Sequence, residues 1–312
     1  MWLKVTHTTD YEYDPAASTA QHLACLLPRD LPSQRVQSSS LDISPSPDSL
    51  SEHVDVYGNR RTFFALSHPH EALHIRAQSL VQTIQAPLPP DRQTVSPTWE
   101  QVRDHFRYRA GAPWDAATEF SFPSHYVPQD VAFEAYAKPS FQPGRPLLEA
   151  AVDLMRRIHR DFEYASKSTD INTPALQALE RRQGVCQDFA HILLACLRTL
   201  GLSARYVSGY LLTVPPKGQT RLVGSDASHA WASVYVPHPD PQQAELLSAQ
   251  GQWFDLDPTN DRWGLHAPGP DFVTVALGRD FADVSPVRGV IYGGASHALK
   301  VGVTVEPVEG LT

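Results

Sequence analysis

The sequence predicts an α+β protein: an N-terminal antiparallel β-sandwich domain over residues 1–95, then a core over 96–312 in which one helix packs on an antiparallel sheet. Two patterns carry this expectation. Short alternating, β-branched segments separated by turn residues fill the first third of the chain. Beyond it, apolar residues recur at helical spacing and are followed by strand-like segments. The chain has 312 residues, 42% of them hydrophobic, enough to bury a substantial core in about two domains.

In the N-terminal part, Leu3–Thr9 and Tyr11–Tyr13 read as strands, and Val36–Ile43 as a weaker one stopped by Ser44-Pro45-Ser46-Pro47. His53–Tyr57 runs through Gly58-Asn59-Arg60 into Thr62–Leu66, a hairpin signal. Leu73–Ile84 closes the set, and Pro87-Leu88-Pro89-Pro90-Asp91 reads as a linker. Short helices are expected at Thr98–Tyr108 and Val131–Ala137. Leu147, Leu148, Ala151, Leu154 and Ile158 outline a longer one, and Thr173-Pro174 has the form of an N-cap and first helical residue. A helix from Cys186 ends at Leu200-Gly201. Strands are expected at Ala204–Val214, Ser228–Val236, Gln252–Asp257 and Leu299–Val305.

Composition narrows the functional classes. A net charge of -8 without a Lys/Arg cluster argues against nucleic-acid binding. No apolar stretch approaches the roughly 20 residues that span a bilayer, and Met1–His7 lacks the form of a secretory signal. The 3 cysteines, Cys25, Cys186 and Cys196, form neither a disulfide framework nor a zinc ribbon, so a reducing, cytoplasmic setting is expected.

Cys186 stands apart from the other two cysteines. It opens an apolar helix after Gly184, among backbone N–H groups that have no partner within the helix. The positive end of a helix dipole favours a thiolate, the reactive form of a cysteine. Cys25 and Cys196 lie inside apolar runs and read as packing residues. In Ser228-His229-Ala230-Trp231-Ala232-Ser233-Val234-Tyr235, alternation puts His229, Trp231, Ser233 and Tyr235 on one face and the small Ala230 and Ala232 on the other. A strand holds an imidazole rigidly, as general-base chemistry requires. Asp255 and Asp257 share a face of the next strand, and either could orient His229. With His229 they could also hold a metal, but no His/Cys set at zinc spacing supports this, and neither metal nor cofactor is expected. His68-Pro69-His70, with His74, reads as a solvated strand connection, and Asp188 as a stabiliser of the helix N-terminus.

These segments resemble the bacterial transglutaminase-like family. The resemblance is carried by Gly184-Val185-Cys186-Gln187-Asp188-Phe189-Ala190-His191, by Leu197–Tyr210, by Ser228-His229-Ala230-Trp231 and by Asp257-Pro258-Thr259-Asn260, in that order. His7–Tyr13, Pro28-Arg29-Asp30 and Tyr57-Gly58-Asn59-Arg60 are similar to that family's N-terminal β domain. The resemblance implies a papain-like fold, with Cys186 as nucleophile, His229 as base and Asp257, in preference to Asp255, as orienting acid. Ser121–Tyr126 and Phe162-Glu163-Tyr164 also look family-like, without an assigned role. The expected reaction is acyl transfer from an amide of a peptide or protein through a thioester, to water or to an amine. The rival reading is a noncatalytic peptide-binding module on the same fold.

Overall fold

The computed structural model describes residues 1–84, 96–111, 114–165, 173–213, 228–238, 251–294 and 296–310. The expected linker at 87–91 lies outside the described residues, as does Val214.

The first sheet is built on one long strand, β1 (Trp2–Ala24). Its first half pairs with β5 (His70–Thr83), which in turn pairs with β2 (Gln34–Ser44). Its second half pairs with β4 (Arg60–Leu66), and β4 with β3 (Ser49–Val54). The expected sandwich is thus one antiparallel sheet that curls on itself. Phe64 and Leu66 of β4 meet Leu73, Ile75 and Ala77 of β5 in a shared core. His70 is buried at the start of β5 and not solvated; its Nδ1 lies 2.9 Å from the His68 carbonyl oxygen.

The second unit surrounds α5 (Cys186–Thr199), buried along most of its length. Packed against it are α2 (Val131–Ala137), α3 (Leu147–Asp161) and α4 (Ala175–Arg181). Another helix, α1 (Trp99–His105), precedes them and is capped by Thr98. The cap of α4 differs from the sequence expectation: Pro174, not Thr173, is the N-cap, with no side-chain cap bond. A two-residue parallel pair, β6 (Glu163–Tyr164) with β7 (Gln183–Gly184), leads into α5.

The core sheet contains β8 (Ala204–Leu211), β9 (Ser228–Val236), β10 (Gln252–Asp257), β11 (Arg262–Leu265) and β12 (Phe272–Gly278), in the antiparallel order β11-β10-β9-β8-β12. Ala230, Ala232 and Val234 share the main core with the apolar residues of α5, while Trp231 and Val207 face the other way.

After a short helix, α6 (Phe281–Val284), the chain leaves this core. Strands β13 (Val287–Gly293) and β14 (Ser296–Pro307) run along the second and first halves of β1. Residues 287–307, grouped with the core on sequence, therefore belong to the N-terminal sheet.

Two buried side-chain amides join the units by imitating a strand. Gln34 Nε2 donates to the Thr274 carbonyl at 2.7 Å, and Gln34 Oε1 accepts the Thr274 N–H at 2.8 Å. Asn59 does the same for Leu277, at 2.7 and 2.8 Å. Thr274 and Leu277 on the outer edge of β12 are thereby satisfied by side chains, with no strand paired there among the described residues. Truncation at either position orphans two buried backbone groups. Asn59→Ala is expected to lower the unfolding free energy by about 2–4 kcal/mol in urea titrations. A loss under about 0.5 kcal/mol, the range of a neutral surface change, would contradict this role.

Candidate active site

Cys186 occupies the first turn of α5 and is only partly buried. The other two thiols are inert by burial. Cys25 is pushed up to about 11, chiefly by desolvation, and Cys196 is raised further still for the same reason. The turn into α5 is held by Asp188, whose Oδ2 accepts the Val185 N–H at 2.8 Å, a capping role for that carboxylate. The same carboxylate explains Gly184. A Cβ there would sit 2.7 Å from Asp188 Cβ and Oδ2.

His229 begins β9 beside this turn. Its Nε2 lies 2.7 Å from Asp257 Oδ2, and Cys186 lies close enough to the ring to raise its pKa. With Nε2 engaged by the carboxylate, Nδ1 is the nitrogen left for sulfur. Burial by itself would lower the His229 pKa, but hydrogen bonds to Asp257 and Cys186, reinforced by their charges, outweigh it. The net effect is a rise to about 10.

Asp257, with no solvent exposure, is saturated with donors. Its Oδ1 accepts the Thr259 N–H at 2.9 Å, and its Oδ2 accepts Asn260 Nδ2 at 2.7 Å as well as the imidazole. The Asp257-Pro258-Thr259-Asn260 turn is therefore a clamp that aims one carboxylate oxygen at His229. Asn260, which has no role on sequence, shares that oxygen: its Nδ2 lies 3.2 Å from His229 Nε2, and both nitrogens donate to Asp257 Oδ2.

The structure thus brings Cys186, His229 and Asp257 together and settles which aspartate meets the imidazole. Asp255 lies directly opposite Ser233 in the β9–β10 ladder and bonds Trp231 and Ser233 instead. The two upstream motifs also find places. Phe122 O and Ser124 Oγ accept from the fully buried Arg198 of α5, bracing that helix from behind. Tyr126 stacks on His191 of the same helix at 5.3 Å. Tyr164, paired with Gly184 and 53% exposed, stands beside the nucleophile; burial, then the charges of Cys186 and Asp188, raise its pKa. Among the described residues, no cluster of three or more His, Cys, Asp or Glu side chains is arranged to hold a metal, and no helix is long and apolar enough to cross a membrane.

A helix-borne thiol meeting a strand-borne imidazole and carboxylate, on an antiparallel sheet, defines a transglutaminase-like core. Comparison with known proteins agrees. Residues 134–258 match the transglutaminase-like superfamily, and residues 3–82 match the bacterial transglutaminase-like N-terminal region. An uncharacterized protein of Mycobacterium tuberculosis is 42% identical over 311 residues, covering 98% of this chain and 93% of its own. An uncharacterized Mycobacterium leprae protein is 30% identical over 309 residues, covering 98% and 99%. A crystal structure of a candidate cysteine protease from Cytophaga hutchinsonii shares the fold, with a TM-score of 0.71 at 22% identity, covering 100% of this chain and 92% of that one. The chain belongs to the transglutaminase-like superfamily and carries the bacterial transglutaminase-like N-terminal region.

The raised pKa of His229 has a consequence for stability. A folded-state value of about 10 against an ordinary 6.5 means a contribution fully present below pH 6.5 and lost as pH climbs through about 10. Between pH 7 and 10 the unfolding free energy of the wild type is expected to fall more steeply than that of His229→Gln. Parallel curves from denaturant titrations across that range would contradict the assignment.

Proposed function

We propose that the protein is a thiol enzyme that acts on amide bonds of peptides or proteins through a thioester, with Cys186 as nucleophile, His229 as acid and base, and Asp257 as orienting acid. The observation that supports this most is the bond from the His229 imidazole to a buried carboxylate, with Cys186 near enough to help raise the imidazole pKa to about 10.

The steps follow from that charge state. The Cys186 thiolate attacks the amide carbonyl carbon; a C–S bond forms and the carbonyl electron pair moves to oxygen. The Cys186 N–H, at the first helical position, has no intrahelical partner and can donate to that oxyanion. Collapse breaks the C–N bond, and the departing nitrogen takes the proton of the His229 imidazolium. The now neutral His229 removes a proton from the acceptor as it attacks the thioester. Loss of the thiolate then releases product and restores the ion pair. Water is the favoured acceptor because it is always at hand, which makes the enzyme a peptidase or amidase; a primary amine would make it a transglutaminase. A nucleophilic thiol must stay reduced, and the three cysteines are unpaired, so we place the enzyme in the cytoplasm.

Cys186→Ala is expected to abolish turnover while the protein still folds, since the side chain is only partly buried at the margin of the core. Mass spectrometry of a glutamine-containing peptide, with and without a primary amine, separates the acceptors. Chain cleavage or deamidation marks hydrolysis, and a gain of the amine's mass marks transfer. Turnover surviving in Cys186→Ala would place the nucleophile elsewhere.

A further inference from the structure

The relay leaves one buried carboxylate on the same sheet face unused. Asp255 is 2% exposed, and burial pushes its carboxyl above the ordinary range, with Arg205, Ser233 and Trp231 pulling back. Holding a carboxylate there is costly unless something depends on it.

The strand register shows what it holds. Arg205, Ser233 and Asp255 lie in line across β8, β9 and β10. The next row on that face carries Val207 and Trp231, and the one beyond it Gly209 and His229. Two diagonal bonds cross from β9 to β10 with the same offset. His229 Nε2 meets Asp257 Oδ2 at 2.7 Å, and Trp231 Nε1 donates to Asp255 Oδ2 at 2.8 Å. Ser233 Oγ donates to the other oxygen of Asp255.

The indole so anchored is fully buried and lies against the imidazole, with ring centroids 5.9 Å apart and planes 30° from parallel. Phe272 meets the indole edge-on at 5.4 Å. Gly209 makes room for it, since a Cβ there would come within 2.6 Å of Trp231 Cη2. An imidazolium resting on an aromatic face is favoured by the ring's quadrupole, and that advantage depends on which way the face points.

We propose that Asp255 is a positioning residue for His229: by anchoring the Trp231 indole it sets the aromatic face on which the imidazolium rests. This rests on the thiol-enzyme reading above. The groups that bear on the imidazolium are Cys186 and Asp257 directly, Asp255 and Arg205 further along the sheet, and the Arg262–Asp271 ion pair beyond Phe272.

The test is alkylation of Cys186 by iodoacetate as a function of pH, which requires no substrate. The imidazolium attracts the reagent's carboxylate, so the rate falls on the alkaline side as His229 loses its proton, near pH 10 in the wild type. Asp255→Asn and Trp231→Phe are each expected to bring that limb down by about one pH unit, and the double variant by no more than the larger single shift. An unmoved limb in Asp255→Asn, with only a lower melting temperature, would overturn the proposal; additive shifts in the double variant would overturn it too. Should Asp255→Asn fail to fold, Trp231→Phe decides by the same criterion. A wild type with no alkaline limb would bring down the Cys-His-Asp reading itself, a result distinct from failure of the positioning role.

Discussion

A carboxylate with no access to water must find all its donors in the protein, and Asp257 finds them in the turn that follows it and in one imidazole. That requirement fixes the ring of His229 with Nε2 inward, which leaves Nδ1 for sulfur. It also explains the elements around it. Strand β9 must hold the imidazole at its first residues, β10 must end at the carboxylate, and α5 must begin beside both. The small Ala230 and Ala232 allow α5 to lie close enough to the sheet for its first residue to reach the ring.

The N-terminal sheet contributes from the opposite side. Its Gln34 and Asn59 complete the edge of β12, and His7 meets the buried Tyr210 hydroxyl of β8 at 3.0 Å. These polar joints tie the two units in one register, and β13 and β14 return the chain to where it began. His229 and Asp257 are buried, whereas Tyr164, beside the nucleophile, is 53% exposed.

Much of the site was legible in the sequence because each member sits in a locally informative pattern: a cysteine after glycine at a helix start, a histidine on an alternating strand, an aspartate before a proline turn. The choice between Asp255 and Asp257 was not legible from alternation, which puts both on one face; cross-strand register decides it, and register is a long-range property. Strand β12 escaped notice because Phe272–Gly278 is buried on both faces and shows no alternation, while its edge partners are the side chains of Gln34 and Asn59. The C-terminal strands were grouped with the core for a similar reason, since pairing with β1 spans nearly the whole chain. His70 reads as a loop residue by its neighbours and is buried by the curl of a sheet that sequence does not display.

The proposed chemistry requires the proton shared by sulfur, imidazole and carboxylate to reside on His229. Nitrogen-15 NMR of histidine-labelled protein at pH 8 tests it directly. Both ring nitrogens of His229 are expected to resonate as an imidazolium, while the buried His7, whose pKa burial lowers to about 4, is neutral. A neutral His229 at that pH would overturn the proposed relay.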